Sequence, residues 1–83
     1  MQMLENFLVT ALSTTGDVIE LNFYECTFKI SSPGTEFSAA GYFHHIEILD
    51  TTLLFHVKRD GKLFAMFIIR LQERYISKIK KFV

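Results

Sequence analysis

Leu53-Leu54-Phe55-His56-Val57-Lys58-Arg59-Asp60-Gly61-Lys62-Leu63-Phe64-Ala65-Met66-Phe67-Ile68-Ile69 is the stretch that decides the fold. Two apolar runs flank an Asp-Gly pair, the strongest short-range signal for a β-hairpin. A two-residue type I′ turn needs positive φ at both central positions. Asp60 tolerates it, and Gly61 adopts it without steric penalty. The turn pairs Arg59 with Lys62. Regular pairing from there sets Val57 against Phe64, Phe55 against Met66, Leu54 against Phe67 and Leu53 against Ile68. One face then carries Leu53, Phe55, Val57, Phe64, Met66 and Ile68, with no polar residue below the tip. That face is assigned to the core.

Upstream, Phe37 to Leu49 reads as one strand, with clean alternation from Tyr42 onward. Asp50-Thr51-Thr52 turns the chain. Matching apolar to apolar sets Ile48 against Leu53 and Ile46 against Phe55. His45 then falls opposite His56, and Glu47 opposite Leu54. The second face of the sheet gathers Phe43, Leu54, Leu63, Phe67 and Ile69 beside His45, Glu47, His56 and Lys58. Its apolar members match the largest patch that a soluble monomer normally exposes. A sheet apolar on both sides is covered on both sides.

Farther out, Val18 to Ile30 is strand-like, rich in β-branched and aromatic residues. Its apolar phase moves from odd positions (Ile19, Leu21, Phe23) to even ones (Tyr24, Cys26, Phe28, Ile30). The change implies a bulge or a bend near Phe23-Tyr24. Ser31-Ser32-Pro33-Gly34 is a turn. Residues 2–13 carry an apolar stripe at helical spacing: Met3, Phe7, Leu8, Ala11 and Leu12. Residues 71–83 carry another: Leu71, Tyr75, Ile76, Ile79, Phe82 and Val83. The pattern predicts one α+β domain over residues 1–83. It comprises an N-terminal helix, an antiparallel meander of four or five strands, and a C-terminal helix. Both helices cover one sheet face, and the other is left to a second copy. On this register Phe67→Asp turns a dimer into a soluble monomer.

Formal charge is zero, but unevenly laid out. Residues 1–57 hold seven acids against one base; residues 58–83 hold eight bases against two acids. The exposed bases Lys58, Arg59, Lys62, Arg74, Lys78 and Lys81 suit an acidic protein partner. A neutral domain argues against a nucleic-acid module, which is normally markedly basic. One cysteine permits no internal disulfide, which favours a reducing, cytoplasmic setting. No window is long and apolar enough for a membrane span, and no leader peptide is expected.

Chemistry-bearing residues are few. His45 and His56, with Glu47 two residues along, offer metal-ligand chemistry for a bound ion or haem. No spaced metal motif accompanies them. Cys26 alternates with Tyr24 and Phe28 and reads as a small core hydrophobe. The glycines are isolated, so no phosphate-cradling loop is expected, and the carboxylates are scattered singly. No cofactor is expected. The sequence therefore points to a non-enzymatic protein-interaction module, a small regulatory or accessory protein acting as a homodimer through the apolar second face. The alternative is a small-ligand carrier using the strand histidines.

Overall fold

Asp60 and Gly61 have φ of 54° and 77°, the doubly positive φ of a type I′ turn, and Arg59 pairs with Lys62. The hairpin they close dominates a computed structural model that describes residues 7–83. Seven strands follow in chain order: β1 (Leu8–Leu12), β2 (Val18–Asn22), β3 (Thr27–Ser31), β4 (Ser38–Tyr42), β5 (His45–Leu49), β6 (Thr52–Arg59) and β7 (Lys62–Arg70). They form two antiparallel sheets, ordered β1-β2-β3-β4 and β5-β6-β7. A 3₁₀ turn at Glu73–Tyr75 leads into the short helix α1 (Ile76–Lys80).

The α+β expectation is thus overturned: the protein is mostly β, without helices flanking one sheet. Part of the expected N-terminal helix, residues 2–6, lies outside the described residues. The remainder is strand β1, with Val9 and Ala11 buried and Leu8 and Thr10 exposed. The same apolar residues satisfy both periods. Val9 and Thr10 are β-branched and favour extended backbone. The five-pair ladder from Leu8↔Asn22 to Leu12↔Val18 then decides, since propensity is weak against tertiary pairing. At the other end, Leu71 bridges Ser13, and the Gln72 N–H donates to the Leu12 carbonyl at 3.0 Å. These bonds hold residues 71–72 extended and shorten the expected helix. Its apolar stripe survives as burial: Leu71, Ile76 and Ile79 are in the core, with Tyr75 and Phe82 packed against it.

Two expected strands each divide. Val18 to Ile30 is a hairpin with Asn22 opposite Thr27 and a loop at residues 23–26. A loop with an even number of residues sets odd Leu21 opposite even Phe28, so the phase change marks the reversal of direction. The Asn22 side-chain carbonyl fixes the turn by accepting the N–H groups of Tyr24 and Glu25, each at 2.9 Å. Cys26 is consequently an exposed turn residue with φ of 59°, outside the core. Phe37 to Leu49 breaks at Phe43-His44. The Phe43 N–H donates to the Cys26 carbonyl, in the turn that leads into β3 of the first sheet, and the His44 N–H donates to the His56 carbonyl in β6 of the second. Consecutive amides serve different sheets, and there the chain crosses over.

The two sheets enclose one core. Val9, Ala11, Ile19, Leu21, Phe28 and Ile30 meet Ile46, Leu53 and Phe55, and Ile76 and Ile79 of α1 complete it. The Phe55 ring lies 4.9 Å from Phe28 and stacks on Phe67 at 5.1 Å.

That last contact exposes the main departure from a regular hairpin. Lys58 pairs with Leu63, but Val57 pairs with Ala65, so Phe64 is a surplus residue in a β-bulge. Beyond it every residue of β7 is displaced by one. Phe67 and Ile69 oppose Phe55 and Leu53, while Met66 and Ile68 oppose His56 and Leu54. Phe67→Asp therefore places a carboxylate in the core and is expected to unfold the chain rather than release a monomer. Deleting Phe64 should leave Lys58↔Leu63 and Val57↔Ala65 as successive pairs. The deletion variant is expected to fold with a stability loss of no more than about 1–2 kcal/mol. Proton–proton contacts between Val57 and Ala65 should persist in its NMR spectrum. Contacts between His56 and Ala65 in their place would count against this register.

A polar corner ties β1, β2 and β3 together. The Ser13 hydroxyl oxygen accepts the Asp17 N–H at 3.0 Å and donates to the Asp17 carboxylate at 3.2 Å. Ser32 donates to the same carboxylate at 2.7 Å and Thr15 at 3.1 Å. These bonds, Ser32 foremost, hold the Asp17 carboxyl below its ordinary value of 3.8. A lowered folded-state value stabilises the fold above the ordinary carboxylate range, and that contribution disappears as pH falls through the folded value. Wild type and Asp17→Asn should therefore differ in urea midpoint at neutral pH and converge in strong acid. A gap that is unchanged in acid would show that the ionised carboxylate is not its source.

Candidate interaction surface

The outward faces of the two sheets differ in kind. Across the four-stranded sheet one row reads Thr10, Glu20, Lys29, Ala40, with opposite charges directly paired at its centre. The rows on either side read Leu8, Asn22, Thr27, Tyr42 and Leu12, Val18, Ser31, Ser38, so this face is charged at its centre and its most exposed apolar residues, Leu8 and Tyr42, stand on the two edge strands. On the three-stranded sheet, register and burial alternation define three outward rows: His45-His56-Met66, Glu47-Leu54-Ile68 and Leu49-Thr52-Arg70. Leu49 is 60% exposed, Met66 48% and Ile68 63%. At the bulge Leu63 and Phe64 are also both well exposed. Apolar side chains thus run across the width of this face, with charge confined to its margins.

The expected interface residues separate into two groups. Leu54 faces outward and Leu63 is exposed near the tip. Phe43, Phe67 and Ile69 instead pack against the core. Leu49, Met66 and Ile68 stand in their place, and the sequence reading missed them. Leu63 through Ile69 is apolar at every position, so alternation carries no register information there.

Strand β7 is also an edge. Its partner β6 lies on one side, and among the described residues no strand lies along the other. At its far end the Leu71 N–H turns toward Thr51, while the Arg70 carbonyl turns away to accept the Thr14 N–H at 2.9 Å. Strand periodicity then aims the N–H and C=O groups of Met66 and Ile68 away from β6. An open edge with apolar side chains beside it is a ready template for another chain.

The histidines occupy one end of the same face. His45 lies directly opposite His56, with ring centroids 5.5 Å apart. The Glu47 carboxylate is 3.9 Å from His45 Nε2, with both side chains half exposed. Among the described residues, no three His, Cys, Asp or Glu side chains group to hold a metal ion. The expected basic residues are all exposed but fall into two clusters. Lys58, Arg59 and Lys62 crowd the hairpin tip. Arg74 lies in the 3₁₀ turn, and Lys78 and Lys81 lie on and just past α1. The length of β7 separates the clusters, about 25 Å at the usual rise per residue. Among the described residues no helix is long and apolar enough to cross a membrane.

Comparison with protein-family models, with curated proteins and with solved structures finds no match.

Proposed function

We propose that this chain is a non-enzymatic protein-interaction module that pairs with a second copy of itself through the outer face of β5-β6-β7. The contrast between the two sheet exteriors carries this reading. One has a charged pair, Glu20 and Lys29, at its centre and exposed apolar residues only on its edge strands; the other presents Leu49, Leu54, Met66 and Ile68 together. Two copies related by a two-fold axis bury the same patch on each side, the commonest oligomeric arrangement. An axis parallel to the strands lays β5 of one copy over β7 of the other. The Glu47 margin then approaches the Arg70 margin, so the flanking charges complement each other. A domain this small buries roughly 60% of its unfolded surface on its own, so a partner adds stability that it otherwise lacks. The basic tip stays outside this contact and suits an acidic partner of a small regulatory or accessory protein.

Sedimentation equilibrium over a wide range of protein concentration tests the reading. Weight-average mass should rise from the monomer toward twice that value. A mass fixed at the monomer throughout would overturn it.

A further inference from the structure

We propose that the groove between β4 and the tip of the β6-β7 hairpin binds a free fatty acid, with its chain inside and its carboxylate at the lip. The groove follows from strand lengths. β4 has five residues, whereas β6 has eight and β7 nine, so the hairpin tip overhangs the four-stranded sheet. Beneath the overhang, Val57 and Ala65 on the inner face are only half covered. Phe28 and Phe67 form the base, with ring centroids 5.4 Å apart. The facing wall is the inner side of β4, where Ala39 and Gly41 carry too little side chain to fill the space. A Cβ at position 41 would already meet the Phe28 ring at 3.4 Å. The resulting cavity is about 340 Å³, near the lower end of the range for small-ligand sites.

Charge identifies the ligand class. Lys58 and Arg59 line the mouth, and among the described residues no carboxylate lines the cavity. The Arg59 guanidinium is held 4.1 Å over the Phe64 ring, which positions its donors at the opening. An apolar interior under a cationic lip is complementary to one molecule with an aliphatic chain and a single anionic head. The site lies on the inner side of the hairpin, so it does not depend on pairing through the outer face.

The test titrates sodium decanoate, below its micelle concentration, into the full chain and follows backbone amide shifts by NMR. Saturable shifts are expected at Gly41, Val57, Ala65 and Phe67. Decanol, with the same chain and no charge, should bind about tenfold more weakly, the value of one charge-assisted contact. Lys58→Glu combined with Arg59→Glu should weaken decanoate by at least that factor while leaving the urea midpoint near wild type, since both residues are exposed. Ala65→Leu, which fills the groove, should abolish binding. Equal affinity for decanol and decanoate would overturn the proposal. So would shifts confined to Leu49, Leu54 and Ile68, which would mean adsorption to the outer face, or shifts produced equally by inorganic phosphate.

Discussion

Phe55→Ala is expected to destabilise the fold by about 3–5 kcal/mol, the range for removing a buried aromatic ring from a packed core. Phe55 is fully buried. It stacks on Phe67, tilts against Phe28, and lies opposite Ile46 in the β5-β6 ladder. Three elements therefore lose contacts at once, and a sheet cannot close around the void as a loop can. A chain of this length has about 4–12 kcal/mol of total stability, so the loss takes a large part of it. Urea unfolding followed by far-ultraviolet circular dichroism should show a midpoint shifted strongly downward, or no folded baseline at all. Phe64→Ala provides the contrast. That ring is largely outside, its contact with Arg59 is worth about 0.5–1 kcal/mol, and the midpoint should barely move. Two phenylalanines nine positions apart on one hairpin should thus differ several-fold in cost. Similar costs for both would mean that the hairpin is seated the other way round.

What could be read from the sequence depended on whether side-chain alternation survived locally. Asp60-Gly61 specifies its own backbone, and Lys58 to Lys62 folds as turn chemistry dictates. His45 to Leu49 alternates strictly, and its pairing with Thr52 to His56 follows position by position, including His45 opposite His56. The downstream half of β7 offers no such handle. Phe64, Met66, Phe67, Ile68 and Ile69 are all apolar, and a bulge costs little to insert where either register buries hydrophobic residues. The regular register therefore inverts the faces and places Phe67 and Ile69 at the surface. The N-terminal error has a different origin. Phe7, Leu8, Ala11 and Leu12 satisfy the helical period, and only β2, waiting alongside with a matching edge, makes β1 the better solution. The break at Phe43-His44 was hidden for a third reason. Both halves of 38–49 are extended, and which sheet each half joins is settled by non-local hydrogen bonds.

Ile68→Asp is expected to abolish pairing while leaving the subunit folded. In the isolated chain Ile68 is mostly exposed, so a carboxylate there stays hydrated and costs the fold little. In the proposed dimer the same carboxylate, in the row that also holds Leu54 and Glu47, is covered by β5 of the other copy, where the matching position is a second carboxylate and not a cation. Burying an unpaired charge costs several kcal/mol, so the dissociation constant should rise by about two orders of magnitude or more. Sedimentation of wild type and variant at matched concentrations reads this directly, and the urea midpoint extrapolated to high dilution checks that folding is intact. Thr10→Asp on the polar exterior is the control, because it adds the same charge to a face expected to remain wet. The inward Phe67→Asp should fail to fold, whereas Ile68→Asp, one residue along the same strand, should yield a well-folded monomer. That one-residue alternation separates a docking face from general surface stickiness, since non-specific association through exposed hydrophobic residues would fall only modestly on losing Ile68. If Ile68→Asp sediments as wild type does, the second copy does not sit on this face.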